Sequence, residues 1–213
     1  MKAFLISGIG ADQRMFDFLQ LPATFTTEYI HWETPLENET VSDYACRLFA
    51  EKSTTVPFII IGISFGGIIA VEIAKKFDPA FTVIISSIPL AAQMPKFYQL
   101  AGKLGIHKLL PVQVLKWMTV VKQQMTMKSK TNKALIRRIT WDGNDQIIKW
   151  GLDAILKWSN SDLPQNLFHI HGKSDTVFPI SCTSPSHFIQ GGHMLTLENP
   201  SEVNSILDEI LTD

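Results

Sequence analysis

A serine sits between two glycines at Gly62-Ile-Ser64-Phe-Gly66. Before it runs an apolar stretch, Phe58-Ile-Ile-Ile61 followed by Ile63, rich in β-branched side chains and suited to a strand buried on both faces. After it, Ile68, Ile69, Val71, Ile73, Ala74 and Phe77 return at helical spacing. A strand that turns sharply into a helix at this point leaves the Ser64 hydroxyl exposed, and the glycines let the backbone make the turn. The helix behind it aims free N–H groups and a positive dipole end at any oxyanion formed there. These features make Ser64 the candidate nucleophile; the alternative is a Gly-Ser turn with no chemistry.

A serine hydroxyl needs a base near neutral pH, and the base needs a third group to orient it. The available bases are His31, His107, His169, His171, His187 and His193. His193 follows Gly191-Gly192 just past the last apolar run, which puts it on a loop at the carboxyl edge of a parallel sheet, the edge that also carries Ser64. His187 falls inside a strand, where packing is the ordinary role of a histidine. His169 and His171 alternate on one strand face, but no neighbouring cysteine or carboxylate completes a ligand set, and no metal is expected. For the orienting acid, Asp175 lies four residues past the fifth strand, whereas Asp142, Asp145 and Asp153 are expected on a solvated helical surface. Ser64, Asp175 and His193 occur in the order Ser, Asp, His.

The elements that must position these residues alternate along the chain. Strands are expected at 3–7, 28–32, 58–63, 81–86, 167–171 and 186–190. A helical segment follows Asp12, another follows Thr40-Val-Ser-Asp43, and 200–211 is amphipathic. This alternation predicts an α/β fold with a parallel sheet of about six strands and helices on both faces. Between 89 and 162 helical periods replace strands, with about four helices expected. The stripe Val114, Leu115, Met118, Val121 and Met125, and the tryptophans around it, are expected mainly to pack inward. Residues 1–88 and 163–213 would form the core and 89–162 an inserted helical lid.

The chain resembles the α/β-hydrolases, specifically the small, lidded serine hydrolases. Gly62-Ile-Ser-Phe-Gly66 is similar to the family's nucleophile elbow, His171-Gly-Lys-Ser-Asp175 to the segment carrying its triad acid, and Gly191-Gly-His193 to its catalytic-histidine loop. The resemblance implies a hydrolase of carboxylic esters or thioesters without a cofactor, with Ser64, Asp175 and His193 as triad. It also implies an oxyanion hole from the N–H groups of Phe65 and Ile9. Acyl transfer or C–C bond hydrolysis on the same triad, and a ligand-binding module without catalysis, are the alternatives. Where members often carry His-Gly after the first strand, this chain has Ser7-Gly8. It opens directly on that strand, without the hairpin common in the family, and joins its last two strands by a short link.

Composition agrees with a globular chain: 213 residues, 46% hydrophobic and 18% charged, with no apolar run long enough to span a bilayer. Gly8, Gly10 and Asp12 follow the first apolar run too closely for a signal peptide. Cys46 and Cys182 give neither a disulfide framework nor metal spacing, so a cytoplasmic location is expected. No nucleic-acid-binding motif accompanies the basic residues. The net charge of −1 hides an asymmetry: residues 89–162 hold twelve Lys or Arg and four acids, +8, which leaves −9 for the rest. These lysines either solvate outer helix faces and offset the acidic core, or attract an anionic substrate or surface.

Overall fold

The structure, a computed structural model, describes residues 1–52 and 56–212. Six segments pair into one parallel sheet: β1 (Lys2–Ile6), β2 (Thr26–Ile30), β3 (Phe58–Ile63), β4 (Phe81–Ile85), β5 (Leu167–Gly172) and β6 (His187–Ile189), in the order β2-β1-β3-β4-β5-β6. Every residue of β3 is buried, as its unbroken apolar run requires. Successive strand residues alternate between two cores. Leu5, Ile59, Ile61 and Val83 join one; Phe4, Ile6, Phe58 and Ile60 join the other.

α1 (Val41–Ala50) and α2 (Phe65–Phe77) cover the second core. Thr40 caps α1, its Oγ1 accepting from the Asp43 N–H at 3.1 Å. Between β4 and β5 come α3 (Lys96–Lys103), α4 (Ile106–Leu109), α5 (Val112–Thr126), α6 (Lys130–Asp142) and α7 (Asp145–Lys157), one more helix than expected because α4 is a single turn. α8 (Leu195–Glu198) and α9 (Pro200–Thr212) close the chain; Val203, Leu207 and Ile210 of α9 join the first core. The segment after Asp12 is only a 3-10 turn, Gln13–Phe16.

Two expectations are corrected. β2 ends at Ile30, since its ladder with β1 stops at the Ile6–Ile30 pair, and Trp32 leaves the sheet to contact the loop after β1. Asp142, Asp145 and Asp153 lie on the helical surface as expected, each with a cationic partner. They pair with Arg14 at 2.7 Å, Lys116 at 2.7 Å and Lys157 at 2.5 Å, and the first of these joins the end of α6 to the turn after β1. The second correction is α5, where Val114, Met118 and Met125 of the expected stripe face outward while Leu115 and Val121 are half-buried. Val112, Lys116, Val120 and Gln123 are buried, while Val114, Trp117, Met118 and Met125 are exposed. Lys116 points inward because its ammonium meets the carbonyls of Gly143 (2.6 Å) and Trp141 (3.3 Å) at the end of α6, as well as Asp145. A cation there complements the negative end of that helix.

Candidate active site

Ser64 stands between β3 and α2 at φ 53° and ψ −120°, a conformation a side chain rarely adopts. The neighbours hold it there. Its N–H donates to the Ile85 carbonyl (2.9 Å), and its own carbonyl accepts from the Ser87 hydroxyl (2.7 Å) and the Gly67 N–H (2.9 Å). Gly66 is required by proximity: a Cβ there would lie 2.3 Å from the carbonyl oxygens of both Ile6 and Ser7. The turn is thus clamped against the ends of β1 and β4.

His193 arrives from the loop after β6. Its Nε2 lies 2.9 Å from Ser64 Oγ, and its Nδ1 lies 2.8 Å from Asp175 Oδ2. Asp175 Oδ1 accepts from the N–H groups of Val177 (2.7 Å) and Phe178 (3.0 Å), so both carboxylate oxygens are engaged. Burial of Asp175 disfavours its charge, but the His193 imidazole, its hydrogen bond and those two amides outweigh that and hold the carboxyl below its usual range. Asp175 therefore stays ionised and accepts the Nδ1 proton, which leaves His193 Nε2 free to accept from Ser64.

Among the described residues, none of the other histidines is hydrogen-bonded to Ser64. His31 is exposed, His107 bonds Asp153 at 3.0 Å, and His187 Nδ1 meets Ser186 Oγ at 3.0 Å. His169 and His171 are buried and bonded to each other, Nε2 to Nδ1, at 2.9 Å. His171 Nε2 faces the Phe178 carbonyl at 2.8 Å, so it carries the proton, and it is 3.5 Å from Asp175 Oδ2. That sets both tautomers: His171 Nδ1 accepts, His169 Nε2 donates, and His169 Nδ1 carries no proton.

This pair has a consequence for acid stability. Burial, reinforced by the His171 ring, pushes His169 down to about 3 from 6.5. The unfolded chain therefore binds a proton that the native state refuses throughout that window. The stability contributed by neutral His169 is complete above about pH 6.5 and is lost as pH falls toward 3, at about 1.4 kcal/mol per pH unit. Denaturant midpoints followed from pH 7 to pH 4 are expected to fall more steeply in the wild type than in His169→Leu, whatever the variant's absolute stability. Equal slopes would rule out a neutral buried His169.

The loop after β1 faces the serine: a Cβ on Gly8 would sit 3.4 Å from Ser64 Cβ. Two side chains that sequence reasoning overlooked hold this loop. Ser7 Oγ donates to the Ala11 carbonyl (2.7 Å), and Trp32 Nε1 donates to the Gly8 carbonyl (3.1 Å). Trp32 also stacks on Phe65, with ring centroids 5.5 Å apart and planes 7° apart, and Trp150 of α7 meets the same Phe65 edge-on at 5.9 Å. Nothing in the period of the sequence marks Trp32 for this task; the only signal is its place as the last residue of an expected strand. The N–H groups of Ile9 and Phe65 have no hydrogen-bond partner among the described residues.

Ser64 and His193 open on a cavity of about 240 Å³ whose walls include Ile9, Met15, Ile136, Ile148, Leu152 and Val177. α5, α6 and α7 contribute much of this lining. The start of α6 is moored beside the His193 loop: Asn132 Nδ2 donates to the Leu197 carbonyl (2.6 Å) and to Glu198 Oε1 (2.8 Å), and Glu198 Oε2 accepts the Lys128 N–H (2.8 Å). Among the described residues, no cluster of three or more His, Cys, Asp or Glu is placed to hold a metal ion.

No known protein-family model matches the sequence, and no curated protein matches it. Solved structures do match its fold. A thermophilic esterase from Thermogutta terrifontis superposes with a TM-score of 0.72 at 15% identity, over 100% of this chain and 89% of its own. A bromoperoxidase from Bacillus anthracis gives 0.72 at 14% identity, over 100% and 92%. The enol-lactonase from Burkholderia xenovorans LB400 gives 0.66 at 14% identity, over 100% and 91%. The chain has the α/β-hydrolase fold. At these identities the likeness concerns the fold alone.

Proposed function

We propose that this protein is a serine hydrolase that cleaves small carboxylic esters or thioesters through an acyl-enzyme. The observation that carries this reading is the continuous run Asp175–His193–Ser64, with contacts of 2.8 and 2.9 Å, at the mouth of an apolar cavity. Esterases and a lactonase among the structural neighbours are consistent with it.

In this mechanism Ser64 Oγ attacks the acyl carbonyl carbon as His193 Nε2 takes the hydroxyl proton. The carbonyl oxygen becomes an oxyanion, received by the unengaged N–H groups of Ile9 and Phe65 at the positive end of α2. His193 then gives its proton to the leaving alcohol or thiol. A water molecule repeats the sequence on the acyl-enzyme, releasing the acid and restoring Ser64. Asp175 holds the imidazole in the required tautomer throughout. The insertion acts as a lid that completes an apolar wall around the acyl group. At about 240 Å³ the cavity is smaller than most drug-sized sites, which favours short acyl chains. Lys116 lines it, but its ammonium is already occupied by Asp145 and two carbonyls, so the cavity wall offers an anionic acyl group no free cation from this residue.

The test is labelling by a fluorophosphonate together with turnover of esters and thioesters graded in acyl length. Labelling at Ser64 and faster turnover of short acyl chains are expected; an unlabelled Ser64 would sink the proposal. Trp32 provides a second check on the oxyanion loop. Trp32→Phe keeps a ring against Phe65 but loses the N–H to the Gly8 carbonyl. It is expected to lower kcat about tenfold with little change in KM, because the loop's donor shifts where the oxyanion forms. A change confined to KM would instead place Trp32 in substrate binding.

A further inference from the structure

The exposed face of α5 is part of a larger pattern. Fifteen large apolar side chains are exposed among the described residues, and eight of them fall between Phe97 and Met125. Val114, Trp117, Met118 and Met125 occupy one arc of α5, opposite the buried Val112, Lys116, Val120 and Gln123. Phe97, Leu100 and Leu104 line one side of α3 and its end, and α4 adds Leu109, exposed at 81%. α3 buries none of its own residues, and α3, α4 and α5 all pack on α7. Scattered apolar residues on a surface need no explanation, but a run concentrated on three consecutive helices does.

The charge on the same stretch has one sign. The sequence contains no acid between Asp78 and Asp142, whereas ten Lys or Arg lie between them. Lys96, Lys103, Lys128 and Lys130 are exposed and have no side-chain partner among the described residues. A second copy of this chain, docked face to face, would bring these cations together with no acid in the stretch to offset them. The combination of Trp, Met and Leu with flanking lysines suits an interface that is apolar below and anionic above.

We propose that the face formed by α3, α4 and α5 docks reversibly on an anionic phospholipid bilayer. Trp117, Met118 and Met125 enter the boundary between headgroups and acyl chains, and the surrounding lysines meet the lipid phosphates. α5 then lies between the bilayer and the cavity, with its other side forming part of the cavity wall. No helix among the described residues is long and apolar enough to cross a membrane, so the contact proposed is peripheral. It does not depend on the catalytic reading.

Sedimentation with vesicles tests this without any substrate. The full chain is mixed with phosphatidylcholine vesicles, and with vesicles containing about one-third phosphatidylglycerol. Binding is expected only to the anionic vesicles and should weaken about tenfold or more between about 0.05 M and 0.5 M salt. Trp117→Ser, Met118→Ser and Met125→Ser together should weaken it by a similar factor, with an unchanged melting temperature showing that the fold persists. Failure to bind anionic vesicles at low salt overturns the proposal, as does equal binding to neutral ones or equal binding by the triple variant. A lipid-free dimer that the triple variant dissolves would also overturn it and assign the face to self-association.

Discussion

Ser64→Ala is expected to abolish labelling by a fluorophosphonate and to reduce ester turnover by about 10⁴-fold or more, while leaving the fold intact. The hydroxyl's hydrogen bond is to His193, whereas the groups that hold the elbow are the backbone N–H and carbonyl of residue 64, which alanine retains. Alanine inherits the same positive φ, so the strain already present is carried over and not added to. Circular dichroism and the melting temperature should therefore match the wild type while turnover disappears. Hydrolysis at the wild-type rate in this variant would remove Ser64 from the chemistry altogether.

Asp175→Asn should be nearly as damaging, about 10⁴-fold in kcat, for a reason visible in its contacts. The N–H groups of Val177 and Phe178 both point at Oδ1, so the amide oxygen of asparagine must stay there to accept them. Its NH₂ is then forced toward His193 Nδ1, and also toward the Nε2 proton of His171, 3.5 Å from Oδ2. His193 must now accept at Nδ1 and carry its proton at Nε2, facing Ser64, where it cannot take the hydroxyl proton. The variant should fold and still bind substrate, with the loss confined to kcat. His187→Ala, which alters only a contact to Ser186 outside the site, should keep most activity. An active Asp175→Asn together with an inactive His187→Ala would reverse the assignment of base and acid.

Much of the sheet and the three residues brought together at its edge were legible in the chain, because local rules dictate them. The β-branched apolar run 58–63 suits a doubly buried strand, the glycines around Ser64 mark a tight turn, and Gly191-Gly192 places His193 beyond a strand end. In a parallel sheet all such ends share one edge, so Ser64, Asp175 and His193 converge once the strand order is right. Tertiary structure decided what periodicity cannot. A helical period gives a helix an apolar face but not the direction in which that face points. α5 turns Lys116 inward because the carbonyl end of α6 and Asp145 provide a site for its charge, and that leaves Trp117 and Met118 outside. Glu72, opposite the apolar side of α2 by period, is buried because Trp158 and Lys75 reach it from the end of α7 and from its own helix. Trp32 gained its position from Gly8 and Phe65, residues distant in sequence, and contacts of that kind exist only after the sheet has brought the strand ends together.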